Sequence, residues 1–138
     1  ALPIYNTKNI PIADSDTVII GCSIVAGRFT LANWVKKNKD RLINKKLILY
    51  STSLNKPDDI VLQESFEKNF TDDIKSTIRY FPLAGRMIFD QLDFWDRTLT
   101  KMVRKTVKDP VEREKISNDF DGVEEKNLDE LLMYVKSL

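Results

Sequence analysis

Two short stretches of uninterrupted hydrophobicity constrain this chain more than any other feature. Thr17-Val18-Ile19-Ile20-Gly21 follows the turn-forming Asp14-Ser15-Asp16, and Lys46-Leu47-Ile48-Leu49-Tyr50 runs into Ser51-Thr52-Ser53. A strand with one wet face alternates apolar and polar residues. A strand that is apolar throughout must be covered on both faces, as in a parallel sheet between helices. Ile78 to Leu83, which ends in Ala84-Gly85, reads as a third strand. It contains Pro82, which cannot donate to a ladder, so this strand is expected to sit at a sheet edge or to end there.

Helical patterns fill the intervals. Leu31, Trp34, Val35 and Leu42 recur at helical spacing and predict an amphipathic helix from about Thr30 to Ile43. Pro57-Asp58-Asp59 reads as a helix start, with Ile60, Phe66 and Phe70 on one face. Ile88, Leu92, Trp95, Leu99 and Met102 predict the longest helix, and Leu128, Leu131, Leu132, Val135 and Leu138 the last one. Ala1 to Asn6 reads as a short strand that is broken at Lys8-Asn9-Ile10-Pro11, and Lys108 to Lys126 as a polar excursion. The alternation argues for an α/β three-layer fold with a parallel sheet and right-handed crossovers. The 138 residues, 42% of them hydrophobic, suffice for one domain, 1–138.

Composition removes whole classes of chemistry. The chain has no His, which excludes Ser-His-Asp and Cys-His hydrolases and His-ligated zinc. Its one Cys, Cys22, allows no internal disulfide and no Cys cluster, and is read as a small buried residue rather than a redox centre. A carboxylate hydrolase is disfavoured because no acidic pair falls at the strand ends, and no metal site is expected. The formal net charge of +1 predicts no nucleic-acid partner. No apolar run reaches the ~18–20 residues of a membrane span, and Ala1-Leu2-Pro3-Ile4 does not read as a signal peptide. A cytoplasmic protein is therefore expected. The Asn69-Phe70-Thr71 sequon is read as chance.

In an open parallel sheet, ligands bind beyond the carboxyl ends of the strands. There this sequence has Gly21-Cys22-Ser23-Ile24-Val25-Ala26-Gly27-Arg28-Phe29, then Ser51-Thr52-Ser53-Leu54-Asn55, then Ala84-Gly85-Arg86. Small residues let backbone approach a flat ligand. They suit a planar heteroaromatic better than a metal, although ordinary strand-to-helix turns have the same composition.

The segment Asp16-Thr17-Val18-Ile19-Ile20-Gly21-Cys22-Ser23-Ile24, with Ala26-Gly27-Arg28-Phe29, resembles the third strand and flavin loop of flavodoxin-like proteins. The Ser-Ile-x-x-Gly-x-Phe spacing is most similar to the branch containing menaquinone-dependent protoporphyrinogen oxidase. Ala84-Gly85, Phe89 and Phe94-Trp95-Asp96-Arg97 resemble that branch downstream, although Asp90, Gln91 and Asp93 stand where the oxidase carries arginines. The resemblance implies a doubly wound sheet of strand order 2-1-3-4-5 and FMN at its carboxyl edge. The ring would contact Ser23, Ile24, Val25, Ala26 and Gly27 on one loop and Ser51, Thr52 and Ser53 on another, with Ala84 and Gly85 as a third contact. The redox chemistry would belong to the flavin.

On this comparison Ala1 to Asn6 matches the second strand, so the first strand, phosphate loop and first helix are expected to be lacking and the domain incomplete at its N-terminus. FMN is accordingly expected of the complete domain rather than of this chain. A flavin-free interaction or regulatory module is the alternative. Arg97, Lys101, Arg104, Lys105 and Lys108 make the helix 88–108 basic. These charges suit the helix dipole; they also suit peripheral contact with the inner membrane face and a quinone or other redox partner. The oligomeric state is left open.

Overall fold

A computed structural model of the chain describes Ile12, residues 15–108 and residues 110–138. The expected strand at Ala1 to Asn6 and the break after it lie outside the described residues.

The centre is a four-stranded sheet. Strand β1 (Thr17–Val25) pairs parallel with β3 (Lys46–Ser53), and β3 pairs parallel with β4 (Ile78–Ala84). A two-residue strand β2 (Arg28–Phe29) folds back antiparallel on the end of β1, which makes the spatial order β2-β1-β3-β4. Among the described residues β4 is an edge, as Pro82 requires.

The predicted fold class is present: mostly parallel strands, with helices on both faces. The alternate residues of β3 explain its continuous apolar run. Leu47 and Leu49 enter one core, and Ile48 enters the other. The first core lies under α1 (Ala32–Lys37), α2 (Lys39–Leu42), α3 (Ile60–Asn69) and α4 (Asp72–Lys75). In it the Phe66 ring stacks on Tyr80 at 4.8 Å, and Phe29 meets Phe70 edge-on at 5.2 Å. The opposite core is Ile48, Phe81 and Leu131, the last from α7 (Asp129–Lys136), with Tyr134 and Val135 beside them.

Several boundaries differ from expectation. The helix expected over Thr30 to Ile43 is two helices, interrupted at Asn38. The Asn38 amide donates to the Trp34 carbonyl at 2.9 Å and its Oδ1 accepts from Arg41, so the side chain competes with the backbone ladder. In α3, Asp59 caps the start by accepting from the Val61 N–H at 3.1 Å. Ile60 does not share the Phe66 face. It stands about half a turn away from Leu62 and is 72% exposed.

The helix expected from Ile88 begins only at Phe94 (α5, Phe94–Thr106). Residues 86–92 form instead a two-residue strand β5 (Arg86–Met87) and a short 3-10 turn. The apolar stripe of α7 is Leu131, Tyr134 and Val135; Leu128, Leu132 and Leu138 are exposed. The polar excursion contains α6 (Pro110–Lys115) and β6 (Phe120–Asp121), which pairs antiparallel with β5. No helix among the described residues is long and apolar enough to cross a membrane, and none of their acidic and Cys side chains cluster as a metal site.

Candidate functional site

The carboxyl edge of the sheet is built from strands longer than the apolar runs suggested. Ser23, Ile24 and Val25 are strand residues, not loop, because β1 continues to pair with β3 through Ser23↔Thr52 and with β2 through Ile24↔Phe29 and Val25↔Arg28. Ser51 to Ser53 and Ala84 are likewise inside their strands, held by the pairs from Ser51↔Pro82 to Ser53↔Ala84. Only Ala26 and Gly27 form the turn. Both have positive φ, 49° and 72°, as a two-residue hairpin turn that matches strand twist demands. Beyond β4 the Gly85 N–H donates to the Ser53 carbonyl at 2.7 Å, and the Gly122 N–H to the Gly85 carbonyl at 3.0 Å. The chain then leaves the sheet and enters the β5–β6 ribbon, where Arg86 pairs with Asp121 at 2.9 Å.

Above this edge lies α5. Its lead-in is tied by Arg97, which donates to the carbonyls of Leu92 at 3.0 Å and Asp90 at 2.9 Å. Arg113 closes its far end by donating to the Val107 carbonyl at 2.9 Å. Between the helix and the sheet is a cleft of about 280 Å³. Its floor is Ser23, Ile24, Val25, Ala26, Thr52, Ser53 and Gly85; its roof and walls are Arg86, Met87, Leu92, Thr100, Val103 and Ile116. A larger hollow beside it takes in Gly27.

The structure therefore brings Ser23, Ile24, Val25, Ala26, Thr52, Ser53 and Gly85 together, with Gly27 at the adjoining corner. Ser51 and Ala84 line neither space. Ser51 is buried and its hydroxyl lies 2.8 Å from that of Tyr80; Ala84 is buried beside Gly122. The roof residues were not legible in the sequence. The inward face of α5, Thr100 and Val103, was obscured by the helix's cationic outer face.

The floor is chemically quiet. Ser23 Oγ and Thr52 Oγ1 lie 3.3 Å apart across the strands. A Cβ at Gly85 would crowd the Ser53 carbonyl oxygen at 3.1 Å, so glycine there allows the close approach of the chain to β3. Cys22 is buried beneath, and burial pushes its thiol up to about 11, so it is neither thiolate nor nucleophile at neutral pH. Asn69 of the sequon is fully engaged, donating to the carbonyls of Gly27 and Ser65, both at 2.8 Å. What remains is an apolar slot with a few hydroxyls and peptide groups, open to a flat ring. Its described lining residues include no acid–base pair, and they can bind, orient and exclude water.

A mostly parallel sheet with helices on both faces and a cleft at its carboxyl edge is an α/β architecture of the expected class. The sequence comparison is more specific: the flavodoxin domain model matches residues 3–114, and the chain belongs to that family. Searches of curated proteins and of solved structures give no significant match.

Proposed function

We propose that this chain is a redox protein whose cleft under α5 takes the ring of FMN. One observation carries the reading: small strand-end residues and Gly85 form a floor on which a planar ring can lie, and Met87, Leu92 and Val103 form an apolar roof. Bound flavin would supply electron or hydride transfer. The protein's part is to hold the ring between the floor and α5, to set its polarity through Ser23 and Thr52, and to keep water from it. Family membership supports the same reading.

The test is titration of the purified chain with FMN, followed by quenching of flavin fluorescence. Saturable binding is expected. Val103→Trp, which fills the slot from the roof without touching the sheet, should weaken it about tenfold or more, the equivalent of ~1.4 kcal/mol. Absence of saturable quenching by the folded wild-type chain favours the flavin-free interaction module instead.

A narrower activity, oxidation of a protoporphyrinogen-like substrate with a quinone as acceptor, rests on the resemblance carried by Ser23, Ile24, Gly27 and Phe29 and by the aromatic-Asp-Arg sequence that opens α5. Reduced, flavin-loaded protein should then be reoxidised by a soluble naphthoquinone; lack of quinone-dependent reoxidation removes that activity. Peripheral membrane contact rests on the exposed Lys101, Arg104, Lys105 and Lys108 of and beside α5, with Phe94 75% and Met102 62% exposed nearby. It requires salt-sensitive cosedimentation with anionic vesicles.

A further inference from the structure

The turn between β1 and β2 carries an unfavourable residue for its geometry. It is a two-residue hairpin closed by the Val25↔Arg28 pair, and both central residues have positive φ. Such turns favour Asn, Asp or Gly at their first position, because other side chains are strained there. Here that position is Ala26, the one residue other than glycine with positive φ among the described residues. It borders the slot under α5. An Asn or Asp in its place would put a polar side chain at the slot's edge, and a Gly would leave that wall free to move.

The strained turn is held from outside. Asn69, the last residue of α3, donates from its amide to the Gly27 carbonyl at 2.8 Å and accepts from the Phe29 N–H at 3.3 Å. The same amide donates to the Ser65 carbonyl at 2.8 Å, one helical turn back, which fixes the side chain. At the base of the hairpin the Thr30 N–H donates to the Ser23 carbonyl at 3.0 Å. Strained backbone persists only where its surroundings over-determine it, and such places gather at ligand clamps. Asn69 itself does not line the slot, so it acts on a ligand there only through the turn.

We propose that Asn69 is a positioning residue: by holding the strained Ala26–Gly27 turn, it fixes one wall of the slot, and that wall orients a bound ring. The proposal rests on the flavin reading for the identity of the ring. A wall already in its binding conformation removes an ordering cost from binding. Without Asn69 the backbone at Ala26 relaxes toward negative φ, the wall shifts, and the ring loses affinity and its single orientation.

The experiment titrates FMN into the wild-type chain, Asn69→Ala, Asn69→Asp and Ile74→Val, and records the visible circular dichroism of the flavin at saturation. That signal reports ring orientation, which a general loss of stability does not move. Asn69→Asp keeps the shape and the bond from the Phe29 N–H but loses both donations, and it decides the matter if Asn69→Ala does not fold. Ile74→Val, in the same core but on α4, controls for lost stability. The Asn69 variants should bind FMN about tenfold more weakly, the scale of the hydrogen bonds that hold the turn, and with altered dichroism. Ile74→Val should match the wild type in both. Altered dichroism or loss of binding confined to the folded Asn69 variants supports the role. Unchanged dichroism in those variants, whatever their affinity, overturns it and leaves the flavin reading standing. The same alteration in Ile74→Val also overturns it, because the effect then belongs to the core as a whole. No saturable binding by the folded wild type overturns both readings.

Discussion

On one face of the sheet Phe29, Phe66, Phe70 and Tyr80 interlock under α3, with Val35, Leu42, Leu47, Leu49 and Ile74 sealed around them. On the other, Ile48, Phe81 and Leu131 are the buried core among the described residues, and α7 is the helix that covers it. Ile48 and Ile19 are register partners in adjacent strands and present to the same side. Yet Ile48 is fully buried and Ile19 is 51% exposed, because α7 packs on Ile48 and Phe81 and not on β1. The same residue type in the same kind of strand contributes differently to stability depending on what lies over it. The first face also secures the turn at the carboxyl edge: Phe29 anchors the β1–β2 turn, and Asn69 of α3 ties that turn down.

That contrast can be broken most sharply at Phe66. Phe66→Ala removes a buried ring that contacts Phe29, Phe70 and Tyr80 and should cost about 3–5 kcal/mol in denaturant unfolding. Leu131→Ala, on the thinner face, should cost ~2 kcal/mol, the low end of such truncations, because the site can relax toward solvent. If Leu131→Ala costs as much as Phe66→Ala, the two faces are equally important and the asymmetry is only apparent.

A smaller change of opposite sign is expected at the turn. Ala26 holds φ at 49°, where a Cβ is strained, so Ala26→Gly should stabilise by about 0.5–1 kcal/mol. A loss of stability there would show that the turn is not under strain.

The smallest effect concerns acid. The Lys39 ammonium, and next the Thr71 hydroxyl, hold the Asp73 carboxyl down to about 2, against an ordinary value of 3.8, in a pair that ties α2 to α4. A depressed carboxylate contributes stability above its unfolded value and loses it as pH falls through the folded one. Wild-type melting temperature should therefore decline from about pH 4 to about pH 2, and Asp73→Asn should flatten part of that decline. The carboxylate is exposed, so added salt should shrink the difference.

Much of this architecture was legible in the chain itself. Val18-Ile19-Ile20, Leu47-Ile48-Leu49 and the Pro82 strand determined a parallel sheet with an edge at β4, because continuous apolar runs and a missing N–H leave few alternatives. The small residues at the strand ends marked the carboxyl edge as the place to look. Their exact roles were not legible. Ser51 and Ser53 are two apart on one strand, yet Ser51 is tied to Tyr80 in the core while Ser53 borders the cleft.

The cleft's roof and the tie from Asn69 to Gly27 and Phe29 at the β1–β2 turn were decided only by tertiary structure. Each joins residues from separate elements, and local periodicity carries no information about which distant elements meet. Strand and helix preferences are properties of short windows, whereas a cleft is a property of the packing between them.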